Sequence, residues 1–157
     1  MIKVLVAYLA ALAGSLGPSL ALAVPQPVVI AEINLPEMMR FACVTLEYDC
    51  TDVPMPKVEL VPLYRQYGAL GVYFPGGDTI YLDSDLLPFF NETAIQSVFV
   101  HEMTHYVDHV VIGDEAMQAD KCATEGRAWR IGNAWLVVHG RADLADFTWY
   151  ERYNCYV

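Results

Sequence analysis

The chain has 157 residues, 55% of them hydrophobic, and carries 19 acidic against 9 basic side chains for a formal net charge of −10. That length suits one domain with a single core. The acidic balance repels phosphate backbones and anionic headgroups, which excludes nucleic acid and a charged lipid surface as partners.

Residues 1–23 open with Lys3, continue as an uncharged apolar run from Val4, and end in Ala21-Leu22-Ala23, the small-x-small pattern of a cleaved secretory signal peptide. Gly14, Ser15, Gly17 and Pro18 interrupt the run, which argues against a retained membrane anchor. The expectation is a signal peptide over 1–23, one domain over 24–157, and a secreted or periplasmic protein with no stable membrane insertion. Cys43, Cys50, Cys122 and Cys155 all fall in the mature part, and an even count in a small exported protein favours disulfides. The expected pairing is Cys43 with Cys50 and Cys122 with Cys155. None of the spacings is a C-x-x-C knuckle, which argues against a zinc site made of four thiolates.

Residues 24–29 form a proline-containing lead-in. Pro36 stands where a first helical residue belongs, and a short amphipathic helix continues from it through Val44. The prolines and aspartates of 49–56 make a loop. Strands are expected over 58–61, 70–74 and 79–82, the last two as a hairpin around Pro75-Gly76-Gly77-Asp78. Residues 83–91 close this sheet, and Asn91 is placed to N-cap a buried helix whose apolar positions 95, 98, 99 and 103 recur at helical spacing. Gly113 ends that helix. A second long helix runs from about Glu115 to Val138 with Gly140 as its stop, and a third covers 142–150. A helix, then strands, then three helices is an α+β arrangement.

The chemistry concentrates in His101-Glu102-Met103-Thr104-His105, an H-E-x-x-H segment in the second half of the buried helix. Residues four apart share a helix face and differ by about 6 Å in rise, so two imidazoles can converge on one ion while the glutamate between them reaches an adjacent water. A chance match in a chain of this length has a probability below about one in a hundred. Three of the four histidines crowd into 101–109.

A catalytic zinc site needs a third protein ligand and an open position. Candidates are Asp108, His109, Glu115, Asp120 and Glu125. On a straight helix His109 sits about 12 Å along the axis from His101, too far to share an ion, and Asp108 has the same difficulty. No glycine breaks the helix between His105 and His109. Glu125 lies twenty residues beyond His105, on the next helix, where a crossing partner can return a carboxylate to the pair.

His101, Glu102 and His105 with Glu125 downstream resemble the gluzincin branch of the zincin metallopeptidases, in which a glutamate of the following helix completes a thermolysin-like site. The hairpin ahead of the motif is similar to the edge strand that zincins place along the substrate cleft. The resemblance covers about residues 70–135. It implies a minimal zincin-like α+β fold, a small mixed sheet on the motif helix, Zn²⁺ held by His101, His105 and Glu125, and Glu102 as general base. Thermolysin-type enzymes usually carry an aspartate four residues after the third ligand; this chain has Trp129 there, which puts the support of the ligands in question. Gly126 is expected to permit close helix approach, with Ala128, Trp129, Ala134 and Trp135 as core.

The activity so implied is zinc-dependent hydrolysis of peptide bonds by a monomer acting on a peptide or protein. Alternatives are an exported zinc-binding or interaction module without turnover, and a zinc amidase acting on cell-wall peptides. Among tyrosines that could stabilise an oxyanion, Tyr150 and Tyr153 precede Tyr106, and all three are first of all packed aromatics.

Overall fold

The computed structural model describes residues 34–89, 92–153 and 155. The signal peptide read over 1–23, the lead-in over 24–29 and the Asn91 cap lie outside the described residues.

Helix α1 (Leu35–Leu46) begins where the Asn34 side chain accepts from the Glu37 amide while its own amide group donates to the Glu37 carboxylate at 2.8 Å, with Pro36 in the first turn. Its inward stripe of Met38, Met39, Ala42 and Cys43 packs on the motif helix. Strands β1 (Lys57–Val61), β2 (Gly71–Tyr73) and β3 (Thr79–Asp83) form one sheet in the order β1-β3-β2. β1 is parallel to β3 with Lys57 opposite Thr79, and β2 is antiparallel to β3 with Tyr73 opposite Ile80. The expected hairpin is present, and among the described residues β2 is an edge strand.

The sequence reading gives no helix between β1 and β2, yet α2 (Leu63–Tyr67) stands there. Its start is organised from a distance: the buried Asp83 carboxylate accepts from the Tyr64 amide and, at 2.9 Å, from the Asp85 amide. One side chain at the end of β3 thus caps the start of two segments, the second being the 3₁₀ segment Ser84–Phe89.

Helix α3 (Thr93–Ile112) carries the motif and ends at Gly113, as expected. Every residue from Val98 to Asp108 is buried, because the sheet, α1 and a later helix cover α3 from different sides.

The expected single helix from 115 to 138 is two: α4 (Asp114–Ala119) and α5 (Lys121–Val138). The break is local, since Asp120 leaves helical geometry and its carboxylate accepts from the Ala123 amide at 2.8 Å, capping α5. The expected helix over 142–150 is also absent. The Asn133 side chain donates to the Asp146 carbonyl at 2.7 Å and accepts from the Asp146 amide at 2.9 Å, which pins that stretch to α5. Asp146 then accepts from both groups of Thr148, leaving only a 3₁₀ turn (Ala142–Leu144) and a short α6 (Trp149–Tyr153).

Gly132 sets the approach of α5 to α3: a Cβ there would lie 3.1 Å from the Ser97 carbonyl oxygen. Gly126, expected in that role, instead faces the Trp149 ring, 3.2 Å from where its Cβ would be. The core gathers Tyr73, Phe99, Met103, Tyr106, Ile131 and Trp135, and Phe41 meets Trp135 edge-on at 5.1 Å. No helix among the described residues is long and apolar enough to cross a membrane.

Both expected disulfides are formed, Cys43–Cys50 across 7 residues and Cys122–Cys155 across 33. Such bridges persist in an oxidising compartment. Loop-closure entropy ranks them: Cys122→Ala/Cys155→Ala should lower unfolding free energy by about 3–4 kcal/mol and Cys43→Ala/Cys50→Ala by about 2 kcal/mol. Urea denaturation of the two double variants checks the order, and a larger loss from the shorter loop contradicts it.

Candidate metal centre

His101 and His105 project from one face of α3, with their Nε2 atoms 3.2 Å apart. From α5, Glu125 brings Oε2 to 3.6 Å from the His101 Nε2 and Oε1 to 3.6 Å from the His105 Nε2. These ligand atoms all lie within 4.8 Å of one another, and the three residues form a group that could hold a metal ion. A tetrahedral ion with bonds of 2.0–2.1 Å has ligand atoms about 3.3–3.4 Å apart, close to the separations present.

The donor chemistry fits as well. All three groups are at most 2% exposed, yet the Glu125 Oε2, 3.6 Å from the His101 Nε2, has no hydrogen-bond partner among the described residues. Buried polar atoms are nearly always partnered, so an unpartnered carboxylate oxygen beside two imidazoles is one that a cation could satisfy. Burial pushes the His105 imidazole down to about 4, which keeps it neutral and able to donate its lone pair at ordinary pH. Burial alone would raise Glu125, but the neighbouring imidazoles of His101 and His105 outweigh it and hold its carboxyl below the ordinary value.

Glu102 sits beside this group, 2% exposed. Its Oε2 accepts from the Tyr73 backbone amide at 2.9 Å, while its Oε1 has no hydrogen-bond partner among the described residues. The edge strand reaches it because residue 71 is glycine: a Cβ there would lie 2.9 Å from the Glu102 Cγ. Burial pushes the Glu102 carboxyl up to about 7; the neighbouring His101 opposes this, the Glu125 carboxylate adds to it, and the Tyr73 amide opposes it. A carboxylate with one oxygen fixed and the other open, titrating near neutrality, is equipped to accept a proton.

The remaining candidates are employed elsewhere. Asp108, fully buried, pairs with Arg127 at 2.8 Å, and Arg127 also donates to the Thr124 hydroxyl at 3.3 Å, so this pair braces α3 to α5. His109 meets the Tyr73 hydroxyl and lies 3.2 Å from Asp114. Asp120 caps α5, and Glu115 is exposed on α4. Trp129 meets the His101 ring edge-on, with centroids 5.0 Å apart, so packing orients that imidazole where the thermolysin-type pattern has an aspartate.

Tyr106 donates to the Pro54 carbonyl at 2.8 Å and is committed to the core. Tyr150 lines a cavity of about 540 Å³ with Asp120, Cys122, Gly126 and Trp149. That cavity contains none of the three residues of the triad. Tyr73, Gly71 and Gly132 escape the sequence reading. Their roles depend on contacts between elements, and only the glycine opening β2 gives a local hint.

Compared with protein-family models, curated proteins and solved structures, the chain matches none.

Glu102 gives a pH-dependent prediction for the protein stripped of metal by a chelator. Its folded pKa of about 7 lies above the ordinary 4.5, so the cost of burying its charge is absent below pH 4.5, grows through the interval, and is complete above pH 7. Glu102→Gln removes that cost and retains an acceptor for the Tyr73 amide. Between pH 4.5 and 7.5 the unfolding free energy should shift in favour of the variant by on the order of 3 kcal/mol. Paired urea titrations measure it, and a difference independent of pH contradicts it.

Proposed function

We propose that this chain is an exported zinc metallopeptidase of gluzincin type, acting as a monomer on peptide or protein substrates. The observation that carries the reading is the convergence of His101, His105 and Glu125 next to a buried carboxylate with one unpartnered oxygen. The ligand set of two imidazoles and a carboxylate suits zinc and leaves a coordination position over. The two disulfides are in keeping with export.

A zinc ion held there would polarise a scissile carbonyl and acidify a water. The protein's own part is the proton transfer: Glu102, held at Oε2 by the Tyr73 amide, takes the proton of the attacking water at Oε1 and delivers it to the departing amine. Gly71 keeps room for that carboxylate. Trp129 fixes the His101 ring, and the Asp108–Arg127 pair fixes the face of α5 that presents Glu125.

One observation favours a second reading, an exported zinc-binding module without turnover: each ligating residue is at most 2% exposed, whereas a substrate must reach the open position. Against it stands Glu102, since a structural site gains nothing from a base beside the metal.

Metal analysis combined with a digest of a peptide library that includes cell-wall peptides separates the readings. Wild type and Glu102→Gln should each hold one zinc, and only wild type should cleave, with loss of the base lowering the rate by about 10²–10⁴-fold. Chelation should abolish cleavage and zinc restore it. Glu125→Ala should lose zinc. Equal cleavage by wild type and Glu102→Gln removes Glu102 from the mechanism, and zinc without cleavage by wild type favours the module.

A further inference from the structure

We propose that His109 and Asp114 are positioning residues for Glu102, acting through Tyr73; the inference rests on the peptidase reading for its consequence in catalysis and on geometry for its substance. Tyr73 is tied to α3 at two levels. Its backbone amide donates to the Glu102 carboxylate at 2.9 Å, and its hydroxyl meets His109, two helical turns further along the same face. The same hydroxyl donates to the Gly77 carbonyl at 2.8 Å, closing the turn that follows β2. The His109 Nε2 lies in turn 3.2 Å from Oδ1 of Asp114, the first residue of α4. Gly76, in the left-handed region at φ +86°, brings that turn so near that its Cβ would lie 3.5 Å from an Asp114 carboxylate oxygen.

The result is a clasp in which the junction of α3 and α4 holds the β2–β3 turn, and the turn fixes how β2 presents its edge to Glu102. β2 is only three residues long and among the described residues pairs with β3 alone, so that ladder does little to stop it sliding or tilting. The Tyr73 amide is the partner that fixes one Glu102 oxygen, and with it the direction of the other. Neither His109 nor Asp114 belongs to the ligand triad, and their side chains are 21% and 44% exposed, so substitutions there reach Glu102 without cutting into the core.

The test is amide hydrogen exchange at residue 73 in the zinc-loaded full-length protein, followed by NMR, with zinc content and hydrolysis of one peptide taken from the library digest. His109→Ala should speed exchange at residue 73 by about tenfold while the α3 core amides at Val100 and Met103 stay protected. Tyr73→Phe, which keeps the backbone amide and loses the hydroxyl, should do the same, and Asp114→Asn should have a smaller effect. In His109→Ala, kcat should fall by about tenfold or more with KM within twofold and one zinc retained. His109→Gln, able to bond the hydroxyl again, should restore most of both. Exchange within twofold of wild type in His109→Ala and Tyr73→Phe overturns the clasp, as does a loss of kcat that follows loss of zinc. If wild type cleaves nothing, the peptidase reading fails, and the exchange rates alone decide the clasp.

Discussion

Three groups able to ligate a metal and a second carboxylate share a space closed to solvent, and the rest of the structure is arranged around that constraint. Isolated charges in such surroundings cost several kcal/mol each. In this fold the cost shows in opposite directions: burial holds His105 neutral and pushes Glu102 towards protonation. A divalent cation between the imidazoles and Glu125 would face both Nε2 atoms and the Glu125 oxygen that has no hydrogen-bond partner among the described residues, so a metal would account for a cluster that a dry core would otherwise exclude.

The surrounding elements can be understood as supports for that cluster. α3 is buried on nearly every side, so its two imidazoles have little freedom to turn away. α5 approaches closely because Gly132 lets it, and the Asp108–Arg127 pair fixes its rotation. Cys122, one turn before Glu125, ties α5 to Cys155 in the tail. β2, a strand too short to hold its own position by pairing, is fixed through the side chain and backbone of Tyr73. Small residues and short polar links, rather than a large second layer, do the positioning in a protein of this size.

What was legible in the sequence followed the range of the interactions. The spacing of His101 and His105 places both rings on one face by helix geometry alone, and the strands and the end of α3 at Gly113 follow from local patterning. The meeting of Glu125 with the histidines depends on two helices crossing, which spacing permits but does not dictate; the resemblance to gluzincins supplied the choice. The break at Asp120 is a contest between helix propagation and a side-chain cap, and the cap won. The loss of the helix over 142–150 was out of reach, because it depends on Asn133 binding the backbone of Asp146 from thirteen residues away. The roles of Tyr73 and Gly71 arise where a strand edge meets a helix, and no periodicity encodes that contact.

The central claim is that His101, His105 and Glu125 bind one zinc ion together, and X-ray absorption at the zinc edge of protein loaded with one equivalent tests it most directly. The account predicts a first shell of two imidazole nitrogens with oxygen donors at about 2.0–2.1 Å, no sulfur, and a changed shell in Glu125→Ala. Sulfur scattering at about 2.3 Å, or a shell of oxygens without imidazole, would contradict it.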